Sequence, residues 1–247
     1  MNKEQIKQDS LQRVIEAEKA IYQRLGDMVN ERDTFLAMPV GTGWIPHETV
    51  DSMMSLRGVR THSFIGNALV YDARDMLVEQ FLKSDCRWLF FMDSDMVLSP
   101  LTIPLLKEVN KPLVTAMAFK RKAPFEPCFF VKVVDDAEDG VPKLLFPLKW
   151  SMGLVPIVAC GMAACLIRRD AVEATVKKYP RPFSPNGKYG EDVLFCLRAR
   201  EAGVTEMYCH TGVDSGHLSR IPVTSSDFSS YVENHKDEYV VLETIQP

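Results

Sequence analysis

Residues 87–100 read RWLFFMDSDMVLSP, and this stretch constrains the rest of the chain. Trp88, Leu89, Phe90, Phe91 and Met92 are apolar without a break. A run that short, bounded by polar residues, suits a strand buried on both faces, as in a parallel sheet. Asp93 and Asp95 follow at once, with Ser94 between them. Ligands of open α/β sheets bind outside the carboxyl ends of the strands. Two carboxylates at that point therefore sit where chemistry is expected. Oxygen ligands at this spacing suit a hard divalent cation, Mg²⁺ or Mn²⁺. Asp and Ser are also ordinary turn residues, so the pair alone describes a solvated strand-end turn equally well.

The chain has 247 residues, enough for one large α/β domain or two small ones. Its net charge of −4, with no long basic run, argues against nucleic acid as a partner. The opening MNKEQIKQDS lacks the apolar core of a signal peptide, and no apolar stretch is long enough to span a membrane. The six cysteines show no C-x-x-C spacing, and Cys160 and Cys165 lie within apolar VACGMAACLI. Buried free thiols in a reducing cytoplasm are expected, rather than disulfides or a zinc site.

Residues 3–31 are polar but periodic, with Leu11, Val14, Ile15, Ile21, Tyr22, Leu25 and Met28 able to share a helical face that Glu18 interrupts. Such a helix packs on its own domain or pairs with a second chain as a short coiled coil, the first being the more common fate. The pattern predicts an N-terminal helical segment over 1–31, a main domain over 32–220 and a C-terminal tail over 221–247. Within the domain, strands are expected at 34–40, 61–65, 112–118 and 204–209, and helices at 46–56, 67–83 and 101–108. The first strand ends in Gly41-Thr42-Gly43, loop punctuation at a usual nucleotide-binding position. Strand-like runs at 129–134 and 143–148 flank DDAEDG, a hairpin signal. Residues 155–167 read as one long buried strand interrupted at Gly161, where a ligand or backbone approaches closely or the strand bulges. Lys120, Arg121 and Lys122 read as a solvated loop. After a Pro/Gly-rich loop at 180–188, Glu191 and Asp192 open a helix that Gly203 closes. Acids there complement the helix dipole and are also catalytic candidates. His210 and His217 follow the last strand.

The order of these features resembles the GT-A fold glycosyltransferases over roughly 35–217: Asp93-Ser94-Asp95 as a DxD motif, then the Gly161 strand, then Glu191-Asp192, then His217. The resemblance implies a Rossmann-like α/β fold with a mostly parallel sheet, flanking helices and a small antiparallel hairpin insertion. It implies a hexosyltransferase-type enzyme that moves a sugar from a UDP- or GDP-sugar to an unidentified acceptor hydroxyl, with inversion. Asp95 and His217 would hold Mn²⁺ or Mg²⁺. Asp93 would bind the donor ribose or reach the metal through water, with Ser94 beside it. Asp192 would be the general base, with Glu191 shaping the acceptor site. Arg74 would contact the nucleotide-sugar, though a helical arginine is also an ordinary solvated residue. Pro39, Val40, Gly41 and Thr42 would border the base, and Gly161 and Met162 would line the sugar and acceptor pocket. The first-strand loop lacks an obvious acid for recognising the base, unless Glu48 or Asp51 folds back.

FFMDSDMV also fits the D-x-D-x-[TV] motif of haloacid-dehalogenase-like phosphatases, with Asp93 as nucleophile and Asp95 as acid/base. That motif usually lies near a chain's start, and no later G-D-x-x-x-D is present. A third possibility is a non-catalytic binding or oligomerising protein that uses the N-terminal helix.

Overall fold

The computed structural model describes residues 3–41, 44–66, 68–134, 143–219, 225–232 and 240–241. Helix α1 (Lys3–Leu25) ends in a 3-10 turn (Gly26–Val29), and then come β1 (Thr34–Val40), α2 (His47–Ser55), β2 (Val59–Gly66) and α3 (Val70–Lys83). The central run forms β3 (Trp88–Met92), followed by β4 (Met96–Val97), α4 (Thr102–Glu108) and β5 (Leu113–Met117). Short strands β6 (Phe129–Phe130), β7 (Lys132–Val134), β8 (Lys143–Leu145), β9 (Pro147–Lys149), β10 (Leu154–Pro156) and β11 (Ala159–Cys160) come next. The chain continues through β12 (Ala164–Arg168), α5 (Arg169–Lys178), α6 (Glu191–Glu201), β13 (Met207–Asp214), β14 (Gly216–His217), α7 (Ser225–Val232) and β15 (Val240–Val241).

Seven strands form the main sheet in the order β10-β13-β5-β12-β3-β1-β2. Five of them run one way, while β12 and β10 run against their neighbours. The fold is therefore mixed α/β with a mostly parallel sheet and flanking helices. Strand β3 is buried along its whole length, as its five apolar residues require. Its neighbours differ from a purely parallel expectation: β1 is parallel to it, but β12 is antiparallel. One core lies between the sheet and α3, α5 and α6, around Leu77, Phe81, Phe91 and Phe195. The other lies over Leu36, Phe90, Leu106 and Leu166. Burying each such side chain contributes about 1.5–3 kcal/mol.

The expected single strand over 155–167 is three short ones, β10, β11 and β12, lying in two different sheets. Apolar continuity marks burial but not pairing. The chain leaves β13's edge at Pro156, crosses to pair β11 with β6, and only then enters the sheet as β12. The 129–134 and 143–148 runs likewise each split in two, and β7 pairs antiparallel with β8 as the hairpin predicts. The DDAEDG stretch between them lies outside the described residues. The last strand extends past the predicted 209 to Asp214, because His210 still pairs with Ala116 and Leu154. Gly203 has φ +95°, and the Gly203 and Val204 amides donate to the Arg200 and Ala199 carbonyls, ending α6 as predicted.

The last turn of α1 packs through Leu25 beside Leu101 and Leu105, and Arg24 pairs with Glu108 at 3.0 Å. Among the described residues, no helix is long and apolar enough to cross a membrane. All six cysteines are free, and Cys86, Cys160, Cys165, Cys196 and Cys209 are buried.

Candidate functional site

Strand direction decides which residues can meet. The carboxyl ends of β1, β2 and β3 share one edge of the sheet, which brings Gly41, Ile65 and Asp93 together. Strand β12 begins at that same edge because it runs backwards. Ala164 faces Met92, and the Asp93 amide donates to the Ala163 carbonyl at 3.1 Å. This reversal carries Gly161 close to Asp192, although Gly161 does not itself line the cleft. A cleft of about 290 Å³ opens there, at the small end of ligand pockets. Pro39, Val40, Gly41, Arg74, Asp93, Ser94, Asp95, Glu191, Asp192 and His217 all line it. Thr42 lies outside the described residues. Met162 does not reach the cleft either: it is 1% exposed and packs in the core.

Arg74 is not a solvated helix residue. Its side chain is 4% exposed and bridges two acids, with Nη2 2.8 Å from Asp93 Oδ1 and Nη1 2.5 Å from Glu191 Oε1. Burial disfavours its charge, but Asp93, Glu191 and Asp192 outweigh that and raise its pKa. The guanidinium also lies 5.9 Å from the centroid of the Phe183 ring. Phe183 packs edge-on against Phe91 of β3 and stacks on Phe195 of α6. The aromatic stack thus joins the strand that leads into Asp93 to the helix starting at Glu191.

The next residue on α3 holds the loop before that helix. Asp75, 3% exposed, accepts from the Phe183 amide at 2.9 Å, Ser184 Oγ at 3.1 Å and Arg181 Nε at 3.3 Å. Sequence reasoning passed over Asp75, because an acid on a helix has no local mark of such a role. Leaving buried donors unpaired costs about 1–3 kcal/mol, so Asp75→Ala is expected to lower stability by about 2–3 kcal/mol. A urea denaturation midpoint unchanged in the mutant would mean that the aromatic stack alone holds the loop.

Asp192 stands at the start of α6, whose N-cap is Gly190. Burial raises its pKa, Arg74 opposes the rise and Glu191 adds to it. A carboxylate raised in this way is better matched to accepting a proton near neutrality. Gly161 leaves room beside it: a Cβ there would lie 3.3 Å from Cys128 Cβ and 3.5 Å from Asp192 Oδ2. The Cys128 thiol is pushed up to about 12 by burial and by Asp192, so it stays protonated.

His217 arrives through a two-residue pairing that no periodicity announces. Strand β14 lies antiparallel to β4, with His217 opposite Met96. The Leu218 amide donates to the Asp95 carbonyl at 2.7 Å. His217 Nδ1 is 2.8 Å from the Phe119 carbonyl and Nε2 is 3.2 Å from Asp95 Oδ1. Burial opposes charge on this ring, but the hydrogen bond and charge of Asp95 outweigh it and raise the pKa. Burial likewise pushes Asp95 up, but His217 and Arg121 together hold it below the usual carboxylate value. His210 is elsewhere: it does not line the cleft, and its nearest charged influences are Glu108 and Arg24.

Arg121 is the residue that sequence reasoning set aside as solvated. Its Nη1 lies 2.7 Å from Asp95 Oδ2, and it lines the cleft. The available signal was its position just beyond a parallel strand's carboxyl end.

Among the described residues, no group of three His, Cys, Asp or Glu side chains could hold a metal ion by itself. Asp95 and His217 could supply two ligands. His217 Nδ1 is held by a backbone carbonyl, as the outer nitrogen of a metal-ligating histidine usually is, while Nε2 pairs with the Asp95 carboxylate. One carboxylate plus substrate phosphates is a usual way to hold Mg²⁺. The residues therefore fit a cation held jointly with a phosphate-bearing ligand.

No family model matches the chain, and no curated protein matches it. Among solved structures, the chain is similar to a crystal structure of A197 from STIV. The TM-score is 0.55 at 16% identity, over 86% of this chain and 95% of that one. At that identity the likeness shows a shared fold.

Proposed function

We propose that the chain is a GT-A-type glycosyltransferase, transferring a sugar from a nucleoside-diphosphate donor to an acceptor hydroxyl with inversion. The observation that carries this reading is the meeting of Asp95, His217 and Asp192 in one cleft, from three distant parts of the sequence. Asp95 and His217 would hold Mn²⁺ or Mg²⁺, which supplies stabilisation of the charge growing on the departing diphosphate. The acceptor hydroxyl gives its proton to Asp192 as its oxygen forms a bond to the anomeric carbon. The bond from that carbon to the diphosphate oxygen breaks, and its electron pair leaves with the nucleoside diphosphate. Arg74 holds Asp93 and Glu191 in place on either side. Gly161 keeps space next to Asp192 for the acceptor. Pro39, Val40 and Gly41 form the wall toward the base. The phosphatase alternative needs Asp93 as a free nucleophile, whereas Arg74 binds one of its oxygens.

The test is calorimetric titration of UDP and GDP with Mn²⁺ into the full chain. Binding of one of them is expected, together with slow metal-dependent hydrolysis of the matching nucleotide-sugar. Asp95→Ala and His217→Ala are expected to weaken the Mn²⁺-dependent binding at least about tenfold, since each removes a direct ligand. His210→Ala is expected to change it little. Equal small effects in all three variants would remove both residues from the metal site. No binding of either nucleotide by the wild type would sink the transferase reading.

A further inference from the structure

The two arginines of the cleft are held very differently. Arg74 is 4% exposed and fixed at both ends. Arg121 is 54% exposed and, among the described residues, makes one ion pair, to Asp95 Oδ2. It rides on a short reversal tied at its base. Phe119 bridges to Pro127, the Lys120 amide donates to the Glu126 carbonyl, and the Cys128 amide donates to the Ala118 carbonyl. Lys120 pairs with Glu126 within the same reversal. The backbone is therefore braced while the Arg121 side chain projects toward the cleft.

An ion pair this open is worth about 1 kcal/mol or less. Its carboxylate already has a second partner, His217 Nε2 at 3.2 Å from Oδ1. Guanidinium binds phosphate with two parallel donors, more strongly than one donor on a partly exposed carboxylate. We propose that Arg121 is a phosphate-binding residue that rests on Asp95 while the cleft holds no ligand. On this view its guanidinium transfers to the diphosphate of the incoming donor and so frees Asp95 Oδ2 for the cation. The inference rests on the transferase reading above and adds the residue that receives the leaving group.

The transfer predicts effects of opposite sign from one substitution. Arg121→Gln removes a cation that competes for Asp95, so Mn²⁺ alone binds more tightly. It also removes the phosphate donor, so pyrophosphate in the presence of Mn²⁺ binds more weakly. Each shift is expected to be about threefold to tenfold, the effect of one charge-assisted contact at a half-exposed site. Arg121→Lys keeps the charge without the fork and falls between. Lys120→Gln, which alters the neighbouring charge, leaves both affinities unchanged. Free Mn²⁺ is read by electron paramagnetic resonance and pyrophosphate by calorimetry, on the full chain. If Arg121→Gln weakens Mn²⁺ alone as well, the residue braces Asp95 and the transfer idea is overturned. If it changes neither affinity while the wild type binds Mn²⁺-pyrophosphate, Arg121 is a surface ion pair and the transferase reading stands. A wild type that binds no Mn²⁺-pyrophosphate overturns both.

Discussion

Asp192→Asn is expected to fold, to bind the donor as the wild type does, and to transfer sugar about a hundredfold to ten-thousandfold more slowly. Asparagine has nearly the same size and keeps an oxygen that can accept the Val193 amide, at 2.7 Å in the native protein. What it lacks is the basicity to take the acceptor's proton. The pH profile adds a second readout. The base must be ionised, so kcat/KM falls as pH drops through the Asp192 pKa. Burial raises that pKa above 3.8, and Glu191 adds to the rise against the opposing charge of Arg74. In the wild type the acid limb should therefore lie at higher pH than an unperturbed aspartate would give, and it should vanish in Asp192→Asn. Single-turnover rates with saturating donor would separate this from a binding defect. If the mutant keeps wild-type rates, the acid only complements the positive end of α6.

The elements that carry these groups were legible because local patterns dictate them. Five apolar residues followed by two acids can hardly be anything but a buried strand with polar groups at its end. The spacing of Leu77 and Phe81 predicts α3, and the glycine after α6 predicts its close. Strand direction was not legible, since a buried antiparallel strand has the same composition as a parallel one. The run containing Gly161 was expected as one strand because its apolar residues are nearly continuous, and Met162 was expected beside the pocket because the resemblance implies it. Met162 is 1% exposed and packs in the core instead.

Charged residues were the least legible. Nothing within YDARDML tells a solvated arginine from one enclosed by acids 19 and 117 residues away in the chain. Arg121 was harder still, because its partner lies on another element and its own surroundings are polar. His217 was legible only through the resemblance. The physical cause of its position, a two-residue pairing of β14 with β4, carries no sequence signal of its own.

Arg74→Ala is expected to cost about 3–5 kcal/mol of stability, the usual range for breaking a buried ion pair by removing one partner. The carboxylates it leaves behind are partly exposed, Asp93 at 29% and Glu191 at 21%. Water can reach them, which places the expected loss near about 3 kcal/mol. The loss has a second part, because the guanidinium packs over Phe183 in the stack that joins β3 to α6. Without Arg74, Asp93, Glu191 and Asp192 face one another with no cation between them. The charge of Arg74 now lowers the Asp192 pKa, so its removal should move the acid limb of activity further up. Arg74→Lys keeps a charge but not the planar fork that spans both acids, and should recover only part of the stability. A double-mutant cycle with Glu191→Gln isolates the pair, since contacting residues in one network depart from additivity by about 0.5–3 kcal/mol. Urea midpoints of the four proteins supply the measurement. A coupling near zero, with Arg74→Ala as stable as the wild type, would show that the aromatic stack alone sets the distance between Asp93 and Asp192.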